Sequence, residues 1–270
     1  MHLGIVAKRD TPRAAELADR IRQNIEATYS LDESTADRLG VEGRPVSGLA
    51  KCDLVVSIGG DGTFLFTARE VSPTPIMGVN LGEVGFLNAV SPDECVNAVQ
   101  NAVDRIERGD AEFQELTQIQ AINGDWTLPP AVNEVAILGP QRGRNNGLDI
   151  EIRIDGDLYS EGPADGVLVS TPAGSSAYNL SEGGPLVHPD VSAFIITEMC
   201  AAEPMPSLAV PTTAAVTVSI SAADHAFVVA DGRTRQQVDP PATVTLRPSS
   251  EHVTVAGPKL EFFEALGKLK

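Results

Sequence analysis

The chain has 270 residues, enough for two modest domains that each bury a core. Its 37 acidic against 20 basic side chains, a formal net charge of −17 with only five lysines, exclude passive binding to nucleic acid or an anionic membrane and suggest a salt-adapted surface. Cys52, Cys95 and Cys200 form neither a zinc pattern nor a disulfide framework, and without a signal peptide or a membrane-length apolar run the expected location is the cytoplasm.

Leu3 to Val6 is a predicted first strand, and Thr11-Pro12 opens a helix whose apolar positions Ala14, Leu17, Ala18, Ile21 and Ile25 follow helical spacing. Lys8, Arg9 and Arg13 fall at that strand-to-helix junction, where open parallel sheets keep their ligands, although the favoured reading is that they are solvated basic residues. Asp53 to Ile58 reads as a buried parallel strand that breaks into Gly59-Gly60-Asp61-Gly62-Thr63, with a helix expected from Thr63 through Arg69. A strand at Pro75 to Val79, the glycine-punctuated loop Asn80 to Leu87 and a helix from Pro92 to about Arg108 complete an alternating pattern, which implies a parallel sheet with right-handed crossovers.

Near Ala111 the texture changes to short β-rich runs, Phe113 to Ile122, Val132 to Leu138 and Asp149 to Ile154. Asp155-Gly156 and Asp231-Gly232 are hairpin signals between apolar runs. The expected fold is therefore an α/β N-terminal domain with a parallel sheet, plus a mostly antiparallel β C-terminal domain. Domain bounds are placed at 1–110 with about 257–270, and at 111–256. Leu260, Phe263, Leu266 and Leu269 keep helical spacing, so a C-terminal tail is expected to pack its apolar face back on the first domain.

Chemistry concentrates in three places. Gly59, Gly60, Gly62 and Thr63 join a strand's carboxyl end to a helix start, where free amides and a positive dipole end favour a phosphate. Asp61 is anomalous there, since a carboxylate among such amides repels phosphate unless it acts on a hydroxyl or a metal; it is the candidate general base. Replacing it with asparagine is expected to leave the fold nearly intact. Neither a Walker P-loop nor a Gly-x-Gly-x-x-Gly fingerprint fits, because no lysine lies between Lys51 and Lys259 and Leu65 stands three residues after Gly62. Asn133-Glu134 offers an amide and a carboxylate able to hold two vicinal hydroxyls, and Gly162 to Pro189 carries a Ser/Gly-rich turn past an apolar strand. That turn has no Gly-x-Ser-x-Gly elbow or Ser-x-x-Lys, so it is not a serine-hydrolase site.

Taken together these segments resemble the NAD kinase family. Gly59 to Thr63 matches its Gly-Gly-Asp-Gly-Thr motif, Asn80 to Leu87 its Asn-Leu-Gly-x-x-Gly-Phe-Leu loop, and Asn133-Glu134 its Asn-Glu pair. Asp165 to Pro189 matches its long Asp-Gly-x-x-x-Ser-Thr-Pro-Thr-Gly-Ser-Thr-Ala-Tyr segment with a trailing Gly-Gly-Pro. Lipid kinases and phosphofructokinases share the first motif only. The resemblance implies phosphorylation of the adenosine-ribose 2'-hydroxyl of NAD to NADP, with ATP or polyphosphate as donor and a divalent metal such as magnesium, for which no direct protein ligand is assigned.

By position, the resemblance puts Asp61 and Gly62 at the acceptor hydroxyl and Asn133 and Glu134 at the ribose. It puts Phe86, Ala177 and Tyr178 at the adenine, Ser176 at the purine edge and Asp165 at the nicotinamide end. It also implies a homodimer or homotetramer whose copies complete each other's sites. Ala173 departs from the pattern, standing in the NAD-binding turn where a hydroxyl residue is usual, and Cys200 to Pro211 lacks an expected basic residue that Arg233 could replace. The rival readings are a catalytically idle NAD(H)-binding regulatory homologue and a kinase of another small polyol or lipid.

Overall fold

The computed structural model describes residues 1–82, 85–141, 147–259 and 261–267. The chain divides into two compact units, Met1–Leu116 with His252–Lys270, and Thr117–Glu251.

The first unit is an α/β layer structure. Its elements are β1 (His2–Ala7), α1 (Pro12–Asn24), β2 (Thr28–Leu31), α2 (Glu33–Leu39), β3 (Leu54–Gly59), α3 (Asp61–Val71), β4 (Ile76–Asn80) and α4 (Cys95–Arg108). The strands run parallel in the order β2-β1-β3-β4. β1 and β3 are almost wholly apolar and buried, as strands covered by helices must be. Thr11-Pro12 opens α1, whose Ala14, Leu17, Ala18 and Ile21 pack with Leu3, Ile5, Val56, Val99 and Val103 in one core. Because β2 lies on one side of β1 and β3 on the other, the strand order reverses between β1 and β3, where an open sheet leaves a crevice at the carboxyl ends. The Lys8 amide donates to the Ile58 carbonyl at 2.8 Å and ties those two ends together.

β5 (Phe113–Asn123) leads into the second unit, which holds β6 (Trp126–Thr127), β7 (Glu134–Leu138), β8 (Leu148–Ile154), β9 (Asp157–Ala164) and β10 (Gly166–Ser170). A single turn of helix, α5 (Tyr178–Ser181), precedes β11 (Ala193–Met199), β12 (Leu208–Pro211), β13 (Val216–Ala222), β14 (Ala226–Ala230), β15 (Thr234–Val238) and β16 (Ala242–Ala256). One antiparallel sheet has the order β12-β11-β10-β7-β14-β15, and β16, β13, β8 and β9 form another antiparallel run. Inward side chains of both, among them Val135, Ile137, Val167, Ile152, Val216 and Val244, make a single core. Asp155-Gly156 and Asp231-Gly232 turn hairpins as expected, each with both residues at positive φ.

Three expectations need correcting. α3 begins at Asp61, not Thr63, because Gly60 caps it and the Thr63 and Phe64 amides already bond back to the Gly60 carbonyl. α4 begins at Cys95, with Pro92 in the turn before it. The tail does return to the first unit through α6 (Phe262–Gly267), but on a different face: Phe262 and Ala265 are buried while Phe263 is 77% exposed. The Phe262 ring packs on Phe86 at 5.9 Å. Leu260 and Leu269, on which the expected face relied, lie outside the described residues. Among the described residues no helix is long and apolar enough to cross a membrane.

Candidate active site

At the carboxyl end of β3 the chain must turn sharply into α3, and glycine permits it. A Cβ at Gly59 would stand 2.3 Å from the Thr63 hydroxyl, so Thr63 folds back over the strand end only because Gly59 has none. A Cβ at Gly62 would meet nothing within 4 Å, which leaves the first turn of the helix open. The Asp61 and Gly62 amides precede the first intrahelical bonds and form part of the donor-rich end of α3.

Asp61 points into the loop that follows β4. Its Oδ2 accepts from the Phe86 amide at 2.8 Å, and its Oδ1 from the Leu87 amide at 3.1 Å and the Asn88 side-chain amide at 3.0 Å. A Cβ at Gly85 would come within 2.7 Å of Asp61 Oδ1, which explains the glycine there. Burial pushes the Asp61 carboxyl above its ordinary value, against the lowering effect of the three donors. Sequence reasoning missed Asn88, a buried residue one position past the loop motif. Asparagine at Asp61 would turn one acceptor oxygen into an amide NH2 group facing an N–H donor, a local cost to the loop within an otherwise nearly intact fold. Phe86 takes part through its backbone and through its ring against Phe262. Glu83 and Val84 of the same loop lie outside the described residues. Lys8 and Arg9 line a hollow of about 360 Å³ with Asp10, Asp37 and Arg38.

In the second unit, Asn133 and Glu134 sit at the mouth of β7, with Ser170 of β10 directly opposite Glu134. The Thr171 amide donates to the Asn133 carbonyl at 2.8 Å, and a Cβ at Gly174 would fall 2.0 Å from that same oxygen. The turn Thr171 to Tyr178 is thereby pressed against the Asn-Glu pair. Asn133 Oδ1 and Glu134 Oε2 are buried and have no hydrogen-bond partner among the described residues. Burial, and then the charge of Asp231, push the Glu134 carboxyl up to about 7.

Ala173 opens a 3₁₀ turn to Ser176, whose hydroxyl donates to the Ala173 carbonyl at 3.4 Å; Ala177 and Tyr178 lead into α5. Tyr178 packs against Ala136, Leu168 and Met199. Two further residues hold this turn and were not singled out from the sequence. Ser175 exchanges hydrogen bonds with the Val187 main chain, and the fully buried Asn179 bridges the Ser175 and Pro185 carbonyls. Asp165 does not join the cluster: it precedes Gly166, at the opposite end of β10 from Ser170, a strand length of roughly 16 Å. The Asp165 amide bonds to the Met199 carbonyl. Arg233 is exposed in its hairpin turn.

The chain thus pairs a parallel α/β unit whose strand β3 ends in a carboxylate-bearing glycine turn with an antiparallel β unit carrying buried, unsatisfied oxygens. The family model of the ATP-NAD kinase N-terminal domain matches residues 47–111, and that of the ATP-NAD kinase C-terminal domain matches residues 132–257. An NAD kinase of Natronomonas pharaonis is 67% identical over 269 residues, and one of Halorubrum lacusprofundi 48% over 274, each alignment covering 100% of both chains. The crystal structure of an NAD kinase from Archaeoglobus fulgidus in complex with ATP superimposes with a TM-score of 0.82 at 25% identity, covering 100% of this chain and 98% of that one. Yeast NADH kinase complexed with NADH shares the fold, with a TM-score of 0.86 at 21% identity over 100% of this chain and 87% of that one. The chain belongs to the NAD kinase family.

Proposed function

We propose that the chain phosphorylates the 2'-hydroxyl of the adenosine ribose of NAD, giving NADP, with ATP or polyphosphate as donor. The observation that carries this reading is the pair of buried, unpartnered oxygens on Asn133 and Glu134, consecutive residues at the mouth of β7. Buried acceptors of this kind are costly unless a ligand supplies donors, and two vicinal ribose hydroxyls supply them. The match to the C-terminal family model disfavours a lipid or polyol kinase, which would share only the first motif.

In this reading Gly59, Gly60, Gly62 and Thr63 cradle the donor phosphates and Asp61 receives the proton of the 2'-hydroxyl. Its Oδ2 accepts one hydrogen bond where Oδ1 accepts two, so Oδ2 keeps the free lone pair. The hydroxyl oxygen forms the new P–O bond as the bond to the leaving phosphate breaks, and a carboxyl raised by burial is suited to take the proton. Ala173, Ser176, Ala177 and Tyr178 line the adenosine and Asp165 serves the nicotinamide end. A homodimer or homotetramer whose copies complete each other's sites belongs to the same reading, by family resemblance.

Among the described residues no group of three or more His, Cys, Asp or Glu side chains could hold a metal ion, and Asp61 has a single lone pair, on Oδ2, not already taken by an N–H donor. The residues present do not fit an all-protein magnesium cage; a divalent metal would arrive on the donor phosphates. A salt-adapted enzyme is the setting we infer from the acidic composition. Incubating the protein with NAD, ATP and magnesium and assaying NADP tests the reading, and no NADP at any salt concentration overturns it.

A further inference from the structure

We propose that Asp231, at the tip of the β14–β15 hairpin, is the positioning residue of the Asn133-Glu134 clamp, gathering three successive main-chain amides onto its carboxylate. The Val132 amide donates to Asp231 Oδ2 at 2.9 Å, and the Asn133 and Glu134 amides donate to Oδ1 at 2.7 and 3.3 Å. In return the Asp231 amide donates to the Glu134 carbonyl at 3.0 Å. The β7–β14 ladder ends one pair earlier, at Val135 opposite Ala230, so residues 132–134 have no strand partner on that side and a side chain stands in for one. Asp231 itself adopts φ +47°, a left-handed conformation that aspartate tolerates better than most residues and that aims its carboxylate back across the turn.

A brace of this strength goes beyond what a hairpin needs, because it converges on the two residues whose side-chain oxygens are buried without partners. Charge-assisted bonds to main chain fix the strand mouth, and the two side chains then project from a backbone that cannot shift. The same carboxylate also acts on the clamp through space. Facing Glu134 are uncharged Ser170 and Thr171 from β10 and the turn after it, and Asp231 from the hairpin; among the described residues its charge is the one acting on Glu134. Asp231 thus fixes where Glu134 stands and adds to the upward shift that burial gives its carboxyl.

The proposal rests on the ribose-clamp reading, and the experiment separates the two. The intact protein carrying Asp231→Asn, which keeps the shape, or Asp231→Gly, which suits the positive φ, is assayed for KM and kcat against pH. We expect the KM for NAD to rise at least tenfold with the KM for ATP within twofold, and the acid limb of NAD affinity to move to lower pH by at least half a unit. A lowered melting temperature with unchanged KM for NAD and an unmoved acid limb overturns the proposal and leaves Asp231 a hairpin brace. Glu134→Gln in the same assay is the control. If that variant keeps NAD affinity and its acid limb, the ribose clamp fails and the Asp231 proposal with it.

Discussion

Glu134 carries the sharpest consequences of any single residue. Its carboxyl is buried, unpartnered at Oε2 and raised from 4.5 to about 7, so the folded protein holds a proton there that the unfolded chain gives up sooner. The stability this contributes is fully present below pH 4.5 and is lost as pH rises to about 7, amounting to about 3 kcal/mol. Glu134→Gln has nothing to ionise, so its melting temperature relative to wild type is expected to be higher at pH 8 than at pH 5. Equal offsets at both pH values would show that Glu134 ionises normally. The same substitution is expected to weaken NAD binding by roughly 1.5 to 3 kcal/mol above pH 7, where wild type presents a carboxylate to the ribose hydroxyls. An NAD analogue lacking those hydroxyls should show no difference between the two proteins. For Asp61→Asn we expect turnover to fall by about 10² to 10⁴, the usual effect of a lost general base. Loss of one acceptor should also cost about 1 to 3 kcal/mol of stability, because an N–H of Phe86, Leu87 or Asn88 then meets an amide NH2 group. Near wild-type turnover in a folded Asp61→Asn protein would make the carboxylate a loop brace alone.

At the scale of elements, the site depends on main chain passing close to main chain, and Gly174 tests that dependence most directly. An alanine there would put a Cβ 2.0 Å from the Asn133 carbonyl oxygen, an obstacle of backbone and not of a flexible side chain. Gly174→Ala is therefore expected to lower the melting temperature markedly and to abolish NAD binding in whatever fraction folds; Gly62→Ala, with open space around it, should leave stability within about 1 kcal/mol. Comparable melting temperatures for the two variants would contradict the packing of the turn on β7. These elements also show why part of the molecule is legible in the sequence. Gly59 to Thr63, the Asp155-Gly156 and Asp231-Gly232 turns and the alternation of β1, α1, β3 and α3 announce themselves because their signals are local. Illegible were β2 and β11, whose strand character comes from sheet neighbours, and the true face of α6, which the burial of Phe262 against Phe86 decides. Asn88 reaching Asp61 and Asp231 reaching Asn133 are contacts 27 and 98 residues apart, and no spacing rule reports them.

For the whole molecule, charge is the governing quantity. With 37 acidic and 20 basic side chains, at least 17 carboxylates have no counter-charge, and the ion pairs seen are surface pairs such as Arg22–Asp19 and Arg105–Glu112. Pairs of that kind contribute about 0 to 1 kcal/mol each and do not offset a net repulsion of this size. Mobile ions do, since the Debye length falls from about 30 Å at 0.01 M to 3 Å at 1 M. Melting temperature is expected to climb steeply with KCl towards molar concentration, and a flat or falling curve would refute the salt-adapted reading without touching the enzyme assignment. Lowering the pH from 8 to 5 at low salt should also stabilise wild type, through two routes of the same sign: partial neutralisation of surface carboxylates and protonation of Glu134. Salt separates them. Molar KCl screens the exposed charges and removes the first route, whereas the second arises from burial and persists. The pH response surviving in molar KCl should therefore be larger in wild type than in Glu134→Gln, where Asp61 is the remaining carboxyl raised by burial. If both proteins lose it together, the titration that controls stability lies on the surface and the buried carboxyl is not its source.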